Sequence, residues 1–322
     1  MPITPRPTRV DEAIRAGWVK WGHSPSDLVR EHTHAGDLMA KGTCRQAAPR
    51  PALFRALGAA EPPEKIEIDG RPYRRVEIFK HDSWAATALY IGSGPRMICK
   101  FNRVAPVGWL SLRWLGRWLA EREAATLQDL ADVDLIPALG GTVTAEGQPQ
   151  PHAVARLFIP GHPLAANERV GRRFFMDLAA TLRRMHAAGI AYVDLHKREN
   201  IIVGPGGRPY LIDFQVCYRR PRGRWAHLPL WDWLLDQLVA GDKYHLAKHA
   251  WRQGGPAPGS TAAEVAALRP GWLKLHRLIA EPLREARRRL LVLLGIRTGS
   301  GRAHTETAPE DAVRREMTRR AA

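Results

Sequence analysis

Asp194, Asn200 and Asp213 stand in an ordered frame. Residues 185–203 read Met-His-Ala-Ala-Gly-Ile-Ala-Tyr-Val-Asp-Leu-His-Lys-Arg-Glu-Asn-Ile-Ile-Val, and residues 211–214 read Leu-Ile-Asp-Phe. The pattern places one aspartate on a loop after a helix end, an asparagine just before an apolar strand, and a second aspartate after the next strand. One hairpin would then carry a carboxylate and two further oxygen ligands. Oxygen ligands of this kind hold Mg²⁺ against nucleotide phosphates, and a carboxylate can face an acceptor hydroxyl, which is most of what phosphoryl transfer asks of a protein. A hairpin whose aspartates only cap turns would use the same residue types.

The elements that must position these residues follow from periodicity and turn chemistry. Residues 1–62 are rich in Pro, Arg and Ala and run into Glu61-Pro62-Pro63-Glu64, which reads as a loosely structured extension closed by a linker. Short alternating runs at 65–68, 73–79, 84–91 and 97–101, with turns at 69–70 and 92–95, predict an antiparallel meander. In residues 108–130, Trp114, Leu115, Trp118, Leu119 and Leu127 recur at helical spacing, predicting one long helix or two. Strands are expected at 135–141 and 154–159, and Pro160-Gly161-His162-Pro163 marks a boundary between two lobes. Beyond it come a helix over 171–188 ending at Gly189, two short strands at 200–203 and 210–214 joined by a glycine-rich turn, and helices over 228–251 and 264–294. The polar segment 298–322 lacks periodicity and is expected to be disordered. The fold class is therefore α+β and bilobal: an extension (1–64), a small antiparallel β-sheet lobe with one helix (65–160), a larger mainly helical lobe (161–297) and a tail (298–322).

Composition narrows the partners. The 322 residues carry 49 Lys and Arg against 32 Asp and Glu, a formal charge of +17, yet 45 % are hydrophobic, so the chain is globular with a basic surface. Such a charge attracts phosphate-rich partners without choosing among them, and charge alone is a poor argument for nucleic acid. Cys44, Cys99 and Cys217 lie far apart, which offers neither a disulfide framework nor a metal knuckle and fits a reducing compartment. No run of residues is apolar enough for a membrane span, and the first ten residues lack a secretory signal's apolar core. A cytoplasmic protein is expected, with peripheral contact at the inner membrane face as a further expectation.

The stretch 185–203 with Leu-Ile-Asp-Phe at 211–214 resembles the catalytic loop and metal-binding strand of the protein-kinase-like superfamily. The resemblance covers about residues 65–250 and is to the bacterial lipopolysaccharide kinases (Kdo and heptose kinases) and the RIO-like atypical kinases. It implies a protein-kinase-like fold and an ATP- and Mg²⁺-dependent kinase. It makes Asp194 the base facing the acceptor and Asn200 and Asp213 the metal ligands. Lys100, in Met97-Ile98-Cys99-Lys100-Phe101, becomes the lysine for the α- and β-phosphates, held by Glu123, which is preferred over Glu121. Phe158-Ile159-Pro160-Gly161 resembles the hinge against which adenine lies, which brings in Ile159.

The departures from the family pattern are informative. Asn200 follows Asp194 by six residues where kinases commonly have five, Tyr192-Val193 replace the usual His-Arg, and Gln215 stands where a glycine follows Asp-Phe. Either His196 or Lys197 could reach the transferred phosphate, and Lys197 is preferred because its ammonium stays charged at neutral pH. No Gly-x-Gly-x-x-Gly motif lies between the first strands; small residues there, Ser83 among them, would let backbone N–H groups approach phosphate. Only residues 215–227 separate Phe214 from the next helix, and no Ala-Pro-Glu closes them, so a long peptide platform is missing. That points to a hydroxyl acceptor on a sugar or lipid-linked glycan, with Arg219, Arg220, Arg222 and Arg224 available to an anionic glycolipid. Trp109, Trp114 and Trp118 beside Arg113 and Arg117 fit either an interfacial helix or the small-lobe core; the leucines beside the arginines of residues 284–297 pose the same choice. A Ser/Thr protein kinase, a small-molecule kinase of aminoglycoside-phosphotransferase type and a pseudokinase scaffold remain as alternatives.

Overall fold

The computed structural model describes residues 52–224, 226–254 and 262–271. The expectations for residues 1–51, for most of the 264–294 helix with its arginine cluster, and for the tail 298–322 lie outside the described residues.

Thirteen strands are described. The chain opens with β1 (Lys65–Ile68), β2 (Arg71–His81), β3 (Ala85–Gly92) and β4 (Met97–Asn102). The β1–β2 hairpin turns on Asp69 and Gly70, both at positive φ (48° and 73°), the backbone twist that a tight two-residue turn requires. Strand β1 alternates, burying Ile66 and Ile68, while β3 and β4 are buried almost throughout because both faces of the sheet are covered there. Two register shifts in the β2–β3 ladder bend the long β2.

Helix α1 (Arg113–Asp129) follows and packs on β4, and then come β5 (Leu139–Gly141), β6 (Val143–Ala145), β7 (Gln148–Pro149) and β8 (Ala153–Leu157). These complete an eight-stranded antiparallel sheet in the order β5-β8-β4-β3-β2-β1-β6-β7. The small strands β6 and β7 do not follow from the sequence reading; their hairpin turns on Glu146 and Gly147 at positive φ.

From β8 the chain crosses to β9 (His162–Pro163), which pairs with β11 (Ile201–Val203); β11 pairs with β12 (Pro209–Leu211), and β10 (Ile190–Ala191) pairs with β13 (Tyr218–Arg219). Gly161 is required at the crossing, since a Cβ there would lie 2.3 Å from the Val203 carbonyl oxygen. Helix α2 (Arg172–Ala187) buries Phe174, Leu178, Leu182 and Met185 along one stripe and ends at Gly189, whose φ is 75°. Helix α3 (Pro229–Gln253) begins with proline at its first position and buries mostly polar residues, Asp242, His245, His249 and Gln253 among them.

Two of the four apolar clusters among the described residues hold most of these layers. One, around Tyr73, Tyr90, Met97 and Phe101, lies within the sheet; the other joins α1, α2 and the β11–β12 hairpin through Leu127, Leu178, Met185, Ile201 and Phe214. Residues 52–61, read from sequence as loose extension, are instead docked. Ala56 N–H donates to the Asp82 carbonyl and the Val104 and Ala105 N–H groups donate to the Ala56 carbonyl, so this stretch is anchored to the chain just past β2 and β4.

Candidate active site

Strand β4 delivers Lys100 and helix α1 delivers Glu123, and the two meet: Lys100 Nζ is 3.0 Å from Glu123 Oε2 and 2.7 Å from Asp213 Oδ1. Glu123 is fully inside and pairs with the lysine, whereas Glu121, two residues away, is exposed and paired with Arg117. Burial works against the Lys100 ammonium, but the Asp213 and Glu123 carboxylates outweigh it and raise its pKa. Burial pushes Asp213 up in turn, and Lys100 outweighs that, holding the carboxyl down at about 2 with help from Lys197 and Lys80. For Glu123 burial prevails and the shift is upward.

Asp194 is built differently. Its carboxylate is buried, with Oδ2 accepting from Lys197 Nζ at 2.7 Å and from Asn200 Nδ2 at 3.0 Å, and with His196 Nδ1 3.3 Å from Oδ1. The backbone before it makes a three-residue turn, Asp194 N–H donating to the Tyr192 carbonyl at 2.8 Å, with Val193 at φ 68°. A β-branched residue rarely adopts that conformation. What over-determines it is Asp242 on α3, a residue the sequence reading missed. Its Oδ2 accepts the Tyr192 N–H and its Oδ1 the Val193 N–H, both at 2.8 Å, and His186 Nε2–H donates to Oδ2 at 3.0 Å. His249, about two turns further along the same face of α3, donates Nε2–H to the Leu195 carbonyl at 2.8 Å. Tyr192 fills the buried place under the loop, its hydroxyl donating to the Ile212 carbonyl and its ring set edge-on to Phe214 at 5.6 Å.

The segment after Asp213 is tied to α1 and β4. Gln215 Nε2 donates to Asn102 Oδ1 at 2.9 Å, and Arg122 donates to the carbonyls of Gln215 and Cys217. These contacts were also missed, because each joins residues some ninety or more positions apart, with nothing local to mark them.

Two expected residues have structural contacts of their own. Ser83 is turned away: its hydroxyl donates to the Phe54 carbonyl, and its carbonyl accepts from Arg103. The N–H groups of Trp84 and Ala85 are already satisfied by Asp82 Oδ1, so the turn expected to cradle phosphate has two of its donors engaged by a carboxylate. Ile159 is buried, its side chain packed with Leu135, Ile202, Tyr210 and Ile212. The arginine run is engaged as well: Arg219 and Arg222 pair with Asp129 of α1, and Arg220 pairs with Asp232 of α3. A cavity of about 760 Å³ opens beside it, between the end of α2 and residues 220–227, and Arg222, Arg224 and His227 are among its walls.

The chemistry of the donors fits a nucleotide-borne Mg²⁺. Among the described residues no cluster of three or more His, Cys, Asp or Glu could cage a metal, whereas one carboxylate and one amide oxygen suit an ion that arrives with phosphate oxygens. Asn200 gives its Nδ2 to Asp194, which leaves Oδ1 as the atom for a cation.

No family model matches the chain. A 3-deoxy-D-manno-octulosonic acid kinase of Photobacterium damsela subsp. piscicida is 32 % identical over 62 residues, which is 19 % of this chain and 25 % of that protein. This chain therefore aligns with about a quarter of that relative's length. The structure of vaccinia related kinase 3 overlaps 50 % of this chain and 53 % of its own, with 13 % identity and a TM-score of 0.36. Over those 62 residues the chain is similar to the octulosonic acid kinase, and its own structure adds an antiparallel sheet with α1 against it and Lys100, Glu123 and Asp213 in one cluster.

Proposed function

We propose that the protein is an ATP- and Mg²⁺-dependent phosphotransferase acting on a hydroxyl of a sugar or lipid-linked glycan. The observation that carries this is the convergence of Lys100, Glu123 and Asp213 on one side of a cleft with the buried Asp194 and its partners Lys197 and Asn200 on the other. In this reading residues 65–160 are the small lobe and residues 161–297 the large one, with Ile159 at the hinge that adenine meets. Lys100, oriented by Glu123, holds the α- and β-phosphates, and Asp213 and Asn200 hold the metal. The metal supplies positive charge against the phosphates when bound. Asp194 takes the acceptor's proton as its oxygen bonds to the γ-phosphorus and the bridge to the β-phosphate breaks, leaving ADP; Lys197 offsets charge on the transferred group.

The short, tied segment of residues 215–227 supports a small or lipid-borne acceptor over a peptide, because it offers no long platform. The anionic part of that acceptor belongs in the arginine-lined cavity, which is joined to the catalytic loop through His186 and Asp242. The test is thermal shift with Mg·ATP followed by transfer of radiolabel from ATP into bacterial membrane extract, against a generic protein acceptor. Wild type is expected to be stabilised and to label the glycolipid fraction. Asp213→Ala should lose the nucleotide response, and label entering only protein would refute the acceptor class.

A further inference from the structure

The tryptophans that sequence periodicity assigns to either core or surface are on the surface. Trp109 is 95 % exposed, Trp114 64 % and Trp118 49 %. Trp109 sits at the tip of a tight turn, Val107-Gly108-Trp109-Leu110, closed by reciprocal backbone hydrogen bonds between Val107 and Leu110 at 3.0 and 3.1 Å. A turn tip is ordinarily built from polar residues, and this one displays three exposed apolar side chains in four positions.

The turn stands on a stiff base. Arg103 is buried, and its guanidinium donates to the carbonyls of Ala105 and Pro106 at the root of the turn, to Ser83 and to Leu53. Its backbone N–H donates to the carbonyl of Trp84, another half-exposed tryptophan. The first turn of α1 continues the patch with Trp114 and carries the exposed Arg113; Arg117 follows and shares an exposed, weakly held pair with Glu121. No acidic residue lies in that first helical turn.

We propose that this patch is a docking surface for an anionic lipid bilayer, with the Trp109 turn inserted at the headgroup level. Tryptophan with flanking arginine is the composition that partitions to a membrane interface, the ring into the boundary and the cation onto anionic headgroups, and the chain's charge of +17 adds long-range attraction. The patch also adjoins the acceptor side of the cleft. Arg122 stacks over the Trp118 ring at 5.3 Å while donating to the carbonyls of Gln215 and Cys217, directly after Asp213. The inference deepens the kinase reading by saying how a lipid-borne acceptor is met, but its test contains no nucleotide and is read independently of catalysis.

The full chain is sedimented with vesicles of phosphatidylcholine containing phosphatidylglycerol, and with phosphatidylcholine alone. Wild type is expected to bind the anionic vesicles, and to bind less as salt rises. W109S/L110S is expected to bind them about tenfold more weakly, as is W114S on the separate helix, with unchanged far-ultraviolet circular dichroism and thermal midpoint. Equal binding by wild type and both variants would assign any attraction to charge elsewhere and overturn the proposal. So would absence of wild-type binding, or a patch variant that changes self-association instead of vesicle binding.

Discussion

Asp194 sits on a loop whose backbone is pinned to a buried carboxylate of a long helix, whereas Asp213 sits two residues past a three-residue strand and is held by a lysine from the sheet. The first is set by N–H groups that donate to a carboxylate wholly buried from water. The second is set by an ion pair whose acidic member keeps 38 % of its side chain exposed. Buried backbone hydrogen bonds fix geometry whether or not a ligand is present; an accessible charge pair can be exchanged for a phosphate and a cation. The Asp194 loop is therefore a fixed anvil, and on the proposed reading the Lys100 side is the part that would respond to nucleotide.

That division can be broken by substitution. The largest effect is expected at Asp194: Asp194→Ala should lower turnover by about 10²–10⁴-fold while keeping the Mg·ATP thermal shift. Loss of both together would merge the two sides into one. Next comes Asp242→Ala, which strands two buried N–H groups and the His186 ring; it should cost about 3 kcal/mol of stability by denaturant titration, and a cost below about 1 kcal/mol would mean the loop supports itself.

A smaller effect sharpens the picture through pH. Burial lowers the pKa of His249 below the free-histidine value, so folding favours the neutral ring. Its contribution is complete above the unfolded pKa, about 6.5, and is lost as pH falls from there to the lowered folded value. The thermal midpoint should decline between pH 7 and 5, and His249→Gln should remove part of that slope, since His81 and His152 are shifted the same way. An unchanged slope in the variant would take His249 out of the loop's support. Smallest is Val193→Gly, which relieves a β-branched residue at φ 68° and should stabilise the protein by about 0.5–1 kcal/mol in the same titration.

What the sequence made legible was local. The Asp69-Gly70 turn, the alternation of β1, the stripe on α2 and its glycine stop each follow from contacts within a few residues, and the structure has them. So does the hairpin carrying Asn200 and Asp213. The choice of Glu123 over Glu121 rested on resemblance, and the structure pairs Glu123 with Lys100. Asp242 was illegible because one aspartate on a helix has no local signature; its meaning arises 49 residues away, at the Val193 N–H. The contacts of the Ser83 turn were illegible because small residues permit approach by any backbone, and here the one that approaches belongs to residues 53–54.

Helix α1 joins the tryptophan patch to the cleft as a lever. Gly116 is its fulcrum: a Cβ there would stand 2.2 Å from the Arg103 carbonyl oxygen, so the helix rests directly on the backbone that roots the Trp109 turn. Glu123 lies seven residues along, about 10 Å at 1.5 Å per residue. A tilt of about 5° at the fulcrum would move the carboxylate by about 1 Å, enough to open the 3.0 Å contact with Lys100. A force applied to the outside of the molecule at Trp114 is thus geared, through a rigid rod and a glycine bearing, to the carboxylate that pairs with Lys100.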